Sequence, residues 1–257
     1  MRYPLIGSVL LLCLAAIAPA SASITVPAGA TLDLRGGRID AAGGDVVTSG
    51  TVRLGAGELL GVGDFRVLAG TADLGSGAIT LVGDWENRAT VIAGSSVVEF
   101  RDGPAAIRAI LGSTQFATLS LVSANGTRYR LESGSTQRVS ALLEIVGEGV
   151  PIQIDVTAAG IAAVNLLPGG TQDIANVGVS NVHATGQPLA PTLTNQGGSG
   201  NATGWFGGGG GGPTDPPVVV QPLVVPALSD LGLLLMVLLF GAVTWRQRRH
   251  LPSRLRA

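Results

Sequence analysis

A twenty-residue repeat runs through the first third of the chain and constrains the fold more than any other feature. The recurring residues are Thr31, Thr51 and Thr71; Leu34, Leu54 and Leu74; Gly37, Gly57 and Gly77; Ile39, Leu59 and Ile79; and Gly43, Gly63 and Gly83. In a stack of coils each residue lies above its counterpart, so the same position must hold a similar side chain in every coil. The repeat therefore predicts a β-solenoid with coils of about twenty residues.

Short alternating segments between the glycines support a β fold. Residues 51–54 and 78–81 alternate apolar and polar side chains as half-buried strands do, and glycine is expected at corners where φ is positive. A helix is disfavoured because glycine inside a helix costs ~1 kcal/mol relative to alanine. We predict an all-β fold, a right-handed β-helix or β-solenoid, with a meandering β-sandwich as the alternative.

Strand signals continue downstream without the clean period. The runs 119–121, 129–131 and 152–156 alternate with period two. Residues 142–145, Ile174 and 177–179 fit further short strands, separated by Gly, Ser or Pro. Trp205 and Phe206 close this part of the chain. We expect both aromatic side chains to cap the open end of the solenoid and to cover apolar rungs that would otherwise aggregate.

The N-terminus has the three parts of a secretory signal peptide. Arg2 supplies the positive start, residues 5–18 are apolar, and Ala20 and Ala22 form an Ala-x-Ala site after which cleavage is expected. Signal peptidase is therefore an expected partner. The alternative is a membrane anchor that is not cleaved.

The C-terminal region contains a candidate transmembrane helix. Residues 231–245 carry no charge, and a helix from 227 to 245 would be about 28 Å long, close to a ~30 Å hydrocarbon core. The basic residues Arg246, Arg248 and Arg249 follow at once and place the C-terminus in the cytoplasm by the positive-inside rule. A buried core helix of a soluble domain is the alternative.

The segment just before this helix carries a motif. Its residues are Val225, Pro226, Ala227, Leu228, Ser229, Asp230, Leu231 and Gly232. Together with the apolar helix and the Arg cluster, it resembles the C-terminal signal of the IPTL-CTERM sorting-domain family, whose motif runs Ile-Pro-Thr-Leu-Ser-Glu-Trp-Gly. Ala227 and Leu231 are the clear departures from that pattern.

The resemblance implies export from a bacterial cell and a transient anchor in the inner membrane. It also implies cleavage near the motif by an exosortase-type membrane enzyme, although a single-span anchor that is never cut is an alternative. The body in turn resembles secreted β-helical surface proteins. The expected organisation is a signal peptide (1–22), a solenoid body (23–206), a Gly/Pro-rich linker (207–224) and a sorting signal (225–257).

The charge distribution argues against nucleic-acid binding. Between residues 23 and 226 the chain holds 10 Arg, no Lys and 16 acidic residues, so it has no basic stripe that could neutralise phosphates. The last twelve residues hold five Arg and no acidic residue. The membrane, rather than a nucleic acid, is the expected partner of that basic tail.

Few residues of the body could support catalysis or metal binding. Cys13 is the only cysteine and lies in the leader, and His183 is the only histidine of the body. One histidine without cysteine cannot form a His- or Cys-based zinc site, and no Gly-x-Ser-x-Gly motif accompanies His183. We expect no metal, no cofactor and no catalytic residue, with His183 as a turn or surface residue.

Paired carboxylates offer the main enzymatic alternative. Glu99 with Asp102, or Asp84 with Glu86, could act as acid and base on an acidic polysaccharide. The leading hypothesis is a non-enzymatic structural or adhesive protein, anchored in the inner membrane and then located at the cell surface or in an extracellular matrix. Extracellular polysaccharide is its candidate partner. A β-helical polysaccharide lyase or hydrolase, and a permanently anchored binding module, are the alternatives.

Overall fold

The computed structural model describes residues 23–190 and 195–206, which form a parallel β-solenoid of about eight turns with coils of about 21 residues. The first four coils contain β1 (Ile24–Val26), β2 (Thr31–Asp33), β3 (Arg38–Asp40), β4 (Val46–Thr48), β5 (Thr51–Arg53), β6 (Glu58–Val62), β7 (Phe65–Val67), β8 (Thr71–Asp73), β9 (Ala78–Leu81), β10 (Trp85–Asn87), β11 (Thr90–Ile92) and β12 (Val97–Phe100). The later coils contain β13 (Ile107–Leu111), β14 (Thr114–Ser123), β15 (Arg128–Leu131), β16 (Thr136–Gly147), β17 (Ile152–Val156), β18 (Ala162–Leu166), β19 (Thr171–Ala175), β20 (Val177–Val179) and β21 (Val182–Ala184).

The strands form three parallel sheets. Sheet A contains β1, β4, β7, β10, β13, β15, β17 and β20, and sheet B contains β2, β5, β8 and β11. Sheet C contains β3, β6, β9, β12, β14, β16, β18 and β21, and β19 also pairs with β16. The predicted all-β solenoid is thus confirmed. The right-handed sense of the coil stays a prediction.

The repeat columns stack as the sequence predicted. Thr31, Thr51 and Thr71 are direct partners on sheet B, and Thr90 continues the column although it comes one residue early in the sequence. The leucine column lies inside, where Leu54 and Leu74 are fully buried. Equal side chains therefore do meet equal side chains from coil to coil.

The first glycine column has a different cause from the predicted one. Gly37, Gly57 and Gly77 all lie outside the positive-φ region. A Cβ on Gly77 would lie 2.5 Å from the carbonyl oxygen of Gly57 and 2.9 Å from the Cβ of Leu54. Close approach of the neighbouring coil, rather than positive φ, thus demands glycine here. Positive φ occurs instead at Gly55, two residues earlier in the same turn.

The coils change after the fourth turn. Phe65 and Trp85 are paired across twenty residues, whereas Trp85 and Ile110 are paired across 25. In the part of the chain that the structure describes, sheet B gains no strand after β11, and the long strands β14 and β16 lie in sheet C. The regular twenty-residue period of the sequence ends where the corner loops change length and sheet B stops.

The interior is apolar and contains a short aromatic stack. Phe65 and Trp85 are stacked with their ring centroids 4.9 Å apart, and Phe116 packs against Trp85 at 5.2 Å. The indole Nε1 of Trp85 donates to Oγ1 of Thr114 at 3.0 Å, so this buried polar atom is satisfied. These contacts join the third, fourth and fifth coils.

The C-terminal end of the solenoid is capped. Trp205 is fully buried, Phe206 is nearly so, and Trp205 forms a parallel bridge with Leu189. The side-chain amide of Asn195 donates to the carbonyl of Val179 and accepts its N–H at 2.9 Å, which completes the edge of β20. Both aromatic residues thus lie where a cap was expected.

The chain divides into two units, 1–214 and 215–257, and all the described residues belong to the first. The predicted signal helix, linker and transmembrane helix lie outside the described residues. Within residues 23–190 and 195–206, no helix has the length and apolar character needed to cross a membrane.

Candidate functional site

Asp102 lies just after β12 and holds the loop that follows β14. Its Oδ1 accepts from the hydroxyls of Ser123 at 2.6 Å and Thr127 at 3.0 Å. Its Oδ2 accepts from the backbone N–H of Ala124 at 2.9 Å and from the backbone N–H and side-chain amide of Asn125 at 3.3 and 3.0 Å. Burial raises the pKa of Asp102, but these hydrogen bonds outweigh it and hold the pKa below its ordinary value. Asp102 is therefore an ionised structural group.

Glu99, the other member of the first predicted pair, lies on the outer face of sheet C. Its Oε1 is 2.6 Å from Nη2 of Arg101. In the register of the sheet, Glu99 is followed by Ser120, Glu144 and Asp173 in successive coils. The hydroxyl of Ser120 donates to Oε2 of Glu144 at 2.5 Å. Glu99 thus belongs to a polar column along the solenoid, partly neutralised by arginine.

Glu86, from the second predicted pair, belongs to an ion network that crosses several coils. Its carboxylate is 4.0 Å from Nε of Arg66 and 2.9 Å from Nε of Arg88. Nη1 of Arg88 also donates to both carboxylate oxygens of Glu132, at 2.9 and 2.8 Å. The hydrogen bonding from Arg88 holds the pKa of Glu132 below its ordinary value. Burial raises this pKa, and the N–H of Gly112 helps to lower it.

Asp84 belongs to a ladder of aspartates that sequence reasoning missed. Asp45, Asp64 and Asp84 each stand directly before a strand of sheet A. Oδ1 of Asp45 accepts the N–H of Asp64 at 2.9 Å, and Oδ1 of Asp64 accepts the N–H of Asp84 at 2.8 Å. Oδ1 of Asp84 accepts the N–H of Ala109 at 2.8 Å and ends the ladder. A sequence signal existed, because each of these aspartates follows a glycine.

The ladder explains Gly63 and Gly83 of the second glycine column and one shifted pKa, whereas Gly43 has the predicted positive φ. A Cβ on Gly63 would lie 2.5 Å from the carbonyl oxygen of Gly43 and 2.6 Å from Oδ1 of Asp45. Burial raises the pKa of Asp84, the N–H of Ala109 opposes this, and the neighbouring Asp64 adds to it. The glycine-aspartate corner thus serves cross-coil hydrogen bonding.

Arg108 and Tyr129 place polar groups inside the solenoid. Arg108 is only 1% exposed, and its Nη1 donates to the carbonyl of Arg101 at 2.7 Å. Burial lowers the pKa of Arg108 and raises that of Tyr129, which is its direct register partner on the next strand of sheet A. The negative charges of Asp102 and Asp84 lie near enough to favour the guanidinium. Arg108 therefore fastens the loop after β12 from within.

His183 lines a shallow groove of about 480 Å³ on the outer face of sheet C. The other lining residues are mostly small, and Ile161 is 57% exposed beside them. Nδ1 of His183 contacts Oγ1 of Thr203 and accepts its backbone N–H at 3.2 Å. His183 lies half-buried at the surface and ties the last coil to β21, as a surface residue would.

Glu99, Asp102 and His183 thus lie in separate hydrogen-bond networks. Asp84 and Glu86 are linked indirectly, because Asp64 accepts the N–H of Asp84 and also forms an ion pair with Arg66, the partner of Glu86. Among the described residues, no group of three or more His, Cys, Asp or Glu is close enough to hold a metal ion. The predicted cleavage residues, sorting motif and basic cluster lie outside the described residues: Ala20 and Ala22, Val225 to Gly232, and Arg246, Arg248 and Arg249.

The C-terminal segment gives the decisive comparison. Residues 225–250 match the IPTL-CTERM motif. The IPTL-CTERM match begins at Val225, the first residue of the predicted motif, and includes the basic cluster. It suggests export and association with a membrane or cell surface, and it implies processing by an exosortase-type enzyme. Comparison of the chain with curated proteins and with solved structures gives no match.

Proposed function

We propose that this chain is an exported structural or adhesive protein of a bacterial cell envelope. Signal peptidase removes residues 1–22, and the solenoid body is held outside the inner membrane by its C-terminal helix. An exosortase-type enzyme then cuts near Val225–Gly232 and passes the body to the cell surface or an extracellular matrix. The IPTL-CTERM match at residues 225–250 carries this proposal.

The architecture of the body supports a mechanical role. Sheets A and C continue through eight coils, so backbone hydrogen bonds run along the whole described solenoid. The aspartate ladder and the ion network of Arg66, Glu86, Arg88 and Glu132 add contacts in the same direction. A body of this kind resists bending and unfolding without disulfides, because each coil is held by both of its neighbours.

We also propose that the role is non-enzymatic, with an extracellular polysaccharide as the matrix partner. Three of the predicted carboxylates are engaged in contacts within the chain, which supports a non-enzymatic role. Asp102 accepts five hydrogen bonds, and Glu99 and Glu86 pair with arginines. The regular column of threonine hydroxyls on sheet B supports the polysaccharide partner, because sugars are bound through hydroxyl hydrogen bonds.

The termini of the mature chain test export and processing together. The chain is expressed in a bacterium that contains an exosortase, and each cell fraction is examined by terminal-peptide mass spectrometry. The expected product begins at Ser23 and ends near the motif in the surface or extracellular fraction. Pro226→Ala should leave the full C-terminus in the membrane fraction, whereas Pro222→Ala, three residues before the motif, should be processed as wild type.

Two results would count against the proposal. A wild-type chain that still ends at Ala257 in the membrane would favour the permanently anchored binding module. A chain that begins at Met1 in the cytoplasm would overturn export altogether.

The non-enzymatic role has its own test. The purified protein is incubated with anionic polysaccharides, and chain length and new reducing ends are followed. We expect no depolymerisation. Turnover that disappears in Glu99→Gln while the fold is kept would establish the lyase or hydrolase alternative instead.

A further inference from the structure

The outer edge of the first coil has no partner strand within residues 23–190 and 195–206. There, β1, β2 and β3 each pair with only one strand, one coil further in. The bonds to that coil use alternate residues, such as Gly37 and Ala41 on either side of β3. The backbone N–H and C=O groups of the residues between them therefore face outward: Thr25, Thr31, Asp33, Arg38 and Asp40.

The same coil also exposes apolar side chains. Ile24, Leu32 and Ile39 point into the interior but are only partly buried. Their counterparts one coil further in are completely buried. An edge with free backbone groups beside exposed apolar side chains is a template for pairing with another strand.

Residues 195–206 cover the opposite end of the described body. Asn195 completes the hydrogen bonds of Val179, the side chain of Asn201 accepts the N–H of Asn181 at 2.8 Å, and Trp205 closes the interior. A head-to-tail array would need a free edge at both ends. Within the described residues, a contact between two copies through a free edge therefore uses the N-terminal edge of both.

The sequence of β3 is complementary to itself in one antiparallel register. When two copies of β3 are centred on Ile39, Arg38 lies opposite Asp40 of the second copy, and Asp40 lies opposite its Arg38. Arg38 and Asp40 are also the residues whose backbone groups face outward, so each opposed pair exchanges both of its hydrogen bonds. A register centred on either charged residue would instead place like charges opposite each other.

We propose that the N-terminal coil is the interface of a closed two-fold dimer, in which β3 pairs antiparallel with β3 of a second copy. The proposal rests on the proposed export, because removal of residues 1–22 leaves Ser23 as the only residue before β1. A two-fold interface uses the same surface on both copies and closes on itself, so it yields a dimer rather than a fibre.

Copurification of two differently tagged full-length copies, extracted from the membrane in detergent, tests the dimer. Wild-type copies should copurify. Two Arg38→Asp copies oppose four carboxylates, and two Asp40→Arg copies oppose four guanidinium groups, so each of these pairs should copurify at least about tenfold less. An Arg38→Asp copy mixed with an Asp40→Arg copy restores both opposite-charge pairs and should copurify again.

The mixed pair separates lost pairing from lost folding. Nε of Arg38 is 3.7 Å from Glu58, and Asp40 accepts the N–H of Ala42 at 2.9 Å, so each single variant also loses a contact within its own chain. Misfolded copies would not recover on mixing.

Three results would overturn the dimer: wild-type copies that do not copurify, variant pairs that copurify as well as wild type, and a mixed pair that does not recover. N-terminal sequencing of the same preparation judges export independently. If the chains begin at Ser23 but do not copurify, the dimer proposal is overturned and the export proposal is not. If the chains begin at Met1, the export proposal is overturned.

Discussion

Replacing Gly77 by alanine tests why glycine recurs in this solenoid. The added methyl carbon would lie 2.5 Å from the carbonyl oxygen of Gly57 and 2.9 Å from the Cβ of Leu54. Ordinary contacts between such atoms are about 3.5–4.0 Å, so the two coils must separate locally. Gly37 is the matched control, because its φ is also outside the positive region and a Cβ there would meet only the carbonyl of Leu34 in its own turn, at 2.9 Å.

The expected loss for Gly77→Ala combines two opposing effects. Overpacking of a well-packed interior costs about 1–3 kcal/mol. Alanine also restricts the unfolded chain, which returns about 0.4–1 kcal/mol. The net loss should be about 1–2 kcal/mol, a fall in Tm of about 2–8 °C for a body of this size. For Gly37→Ala we expect a smaller loss than for Gly77→Ala, because the added methyl group would meet only the carbonyl oxygen of Leu34 and no earlier coil of the described residues is stacked against that turn.

Thermal and urea unfolding of the body, followed by circular dichroism, measure both substitutions. They are made in the Arg38→Asp background, so that single copies are compared. Equal losses of unfolding free energy for Gly77→Ala and Gly37→Ala would refute the close-approach explanation. They would mean that backbone conformation is the reason for glycine in this column. If Gly77→Ala leaves the unfolding free energy unchanged or raises it, the close spacing of the two coils at Gly77 would be refuted.

Three further substitutions probe the cap and the carboxylates. Trp205→Ala should cost about 3–5 kcal/mol and raise light scattering on heating, because it opens a fully buried end of the solenoid; unchanged scattering would deny the cap. Because the pKa of Asp102 is lowered, its stabilisation is complete above the ordinary carboxyl pKa of about 4 and is lost as the pH falls below it. Asp102→Asn should therefore be less stable than wild type by about 1–3 kcal/mol in urea unfolding at pH 7, with a gap that narrows at pH 3; a constant gap would contradict the assignment. Glu99→Gln should change the unfolding free energy by less than about 1 kcal/mol, because Arg101 is mostly exposed; a larger loss would mean that this ion pair holds the coil.

Strand positions were predictable wherever alternation was strict. The predicted runs 78–81 and 152–156 coincide with β9 and β17. The run 177–179 coincides with β20, although all three of its residues are buried. Side chains that alternate between core and solvent leave a period-two pattern, which can be recognised without knowing the partner strand. The long strand β16 was predicted only in part, since it continues through residues 136–141 without a clear apolar pattern.

The networks of the candidate site were less accessible to sequence reasoning. Glu99 and Asp102 are three residues apart and were expected to act together, yet the partners of Asp102 lie 21 to 25 residues further along the chain. The partner of a side chain on a solenoid lies one coil away, and that distance depends on loop lengths. When the coils lengthen from 20 to 25 residues, spacing in the sequence no longer identifies neighbours.

The sequence by itself determined that similar residues would stack, because matching Thr and Leu columns at a fixed period leave few other folds open. It also carried the C-terminal sorting motif, which depends on local order of residues and needs no fold to be recognised. Only the tertiary structure decided which groups meet between coils: the aspartate ladder, the glycines opposite neighbouring carbonyls and the free edge of β3. These contacts are set by a coil separation of about 4.8 Å, a distance in space that no spacing along the chain encodes.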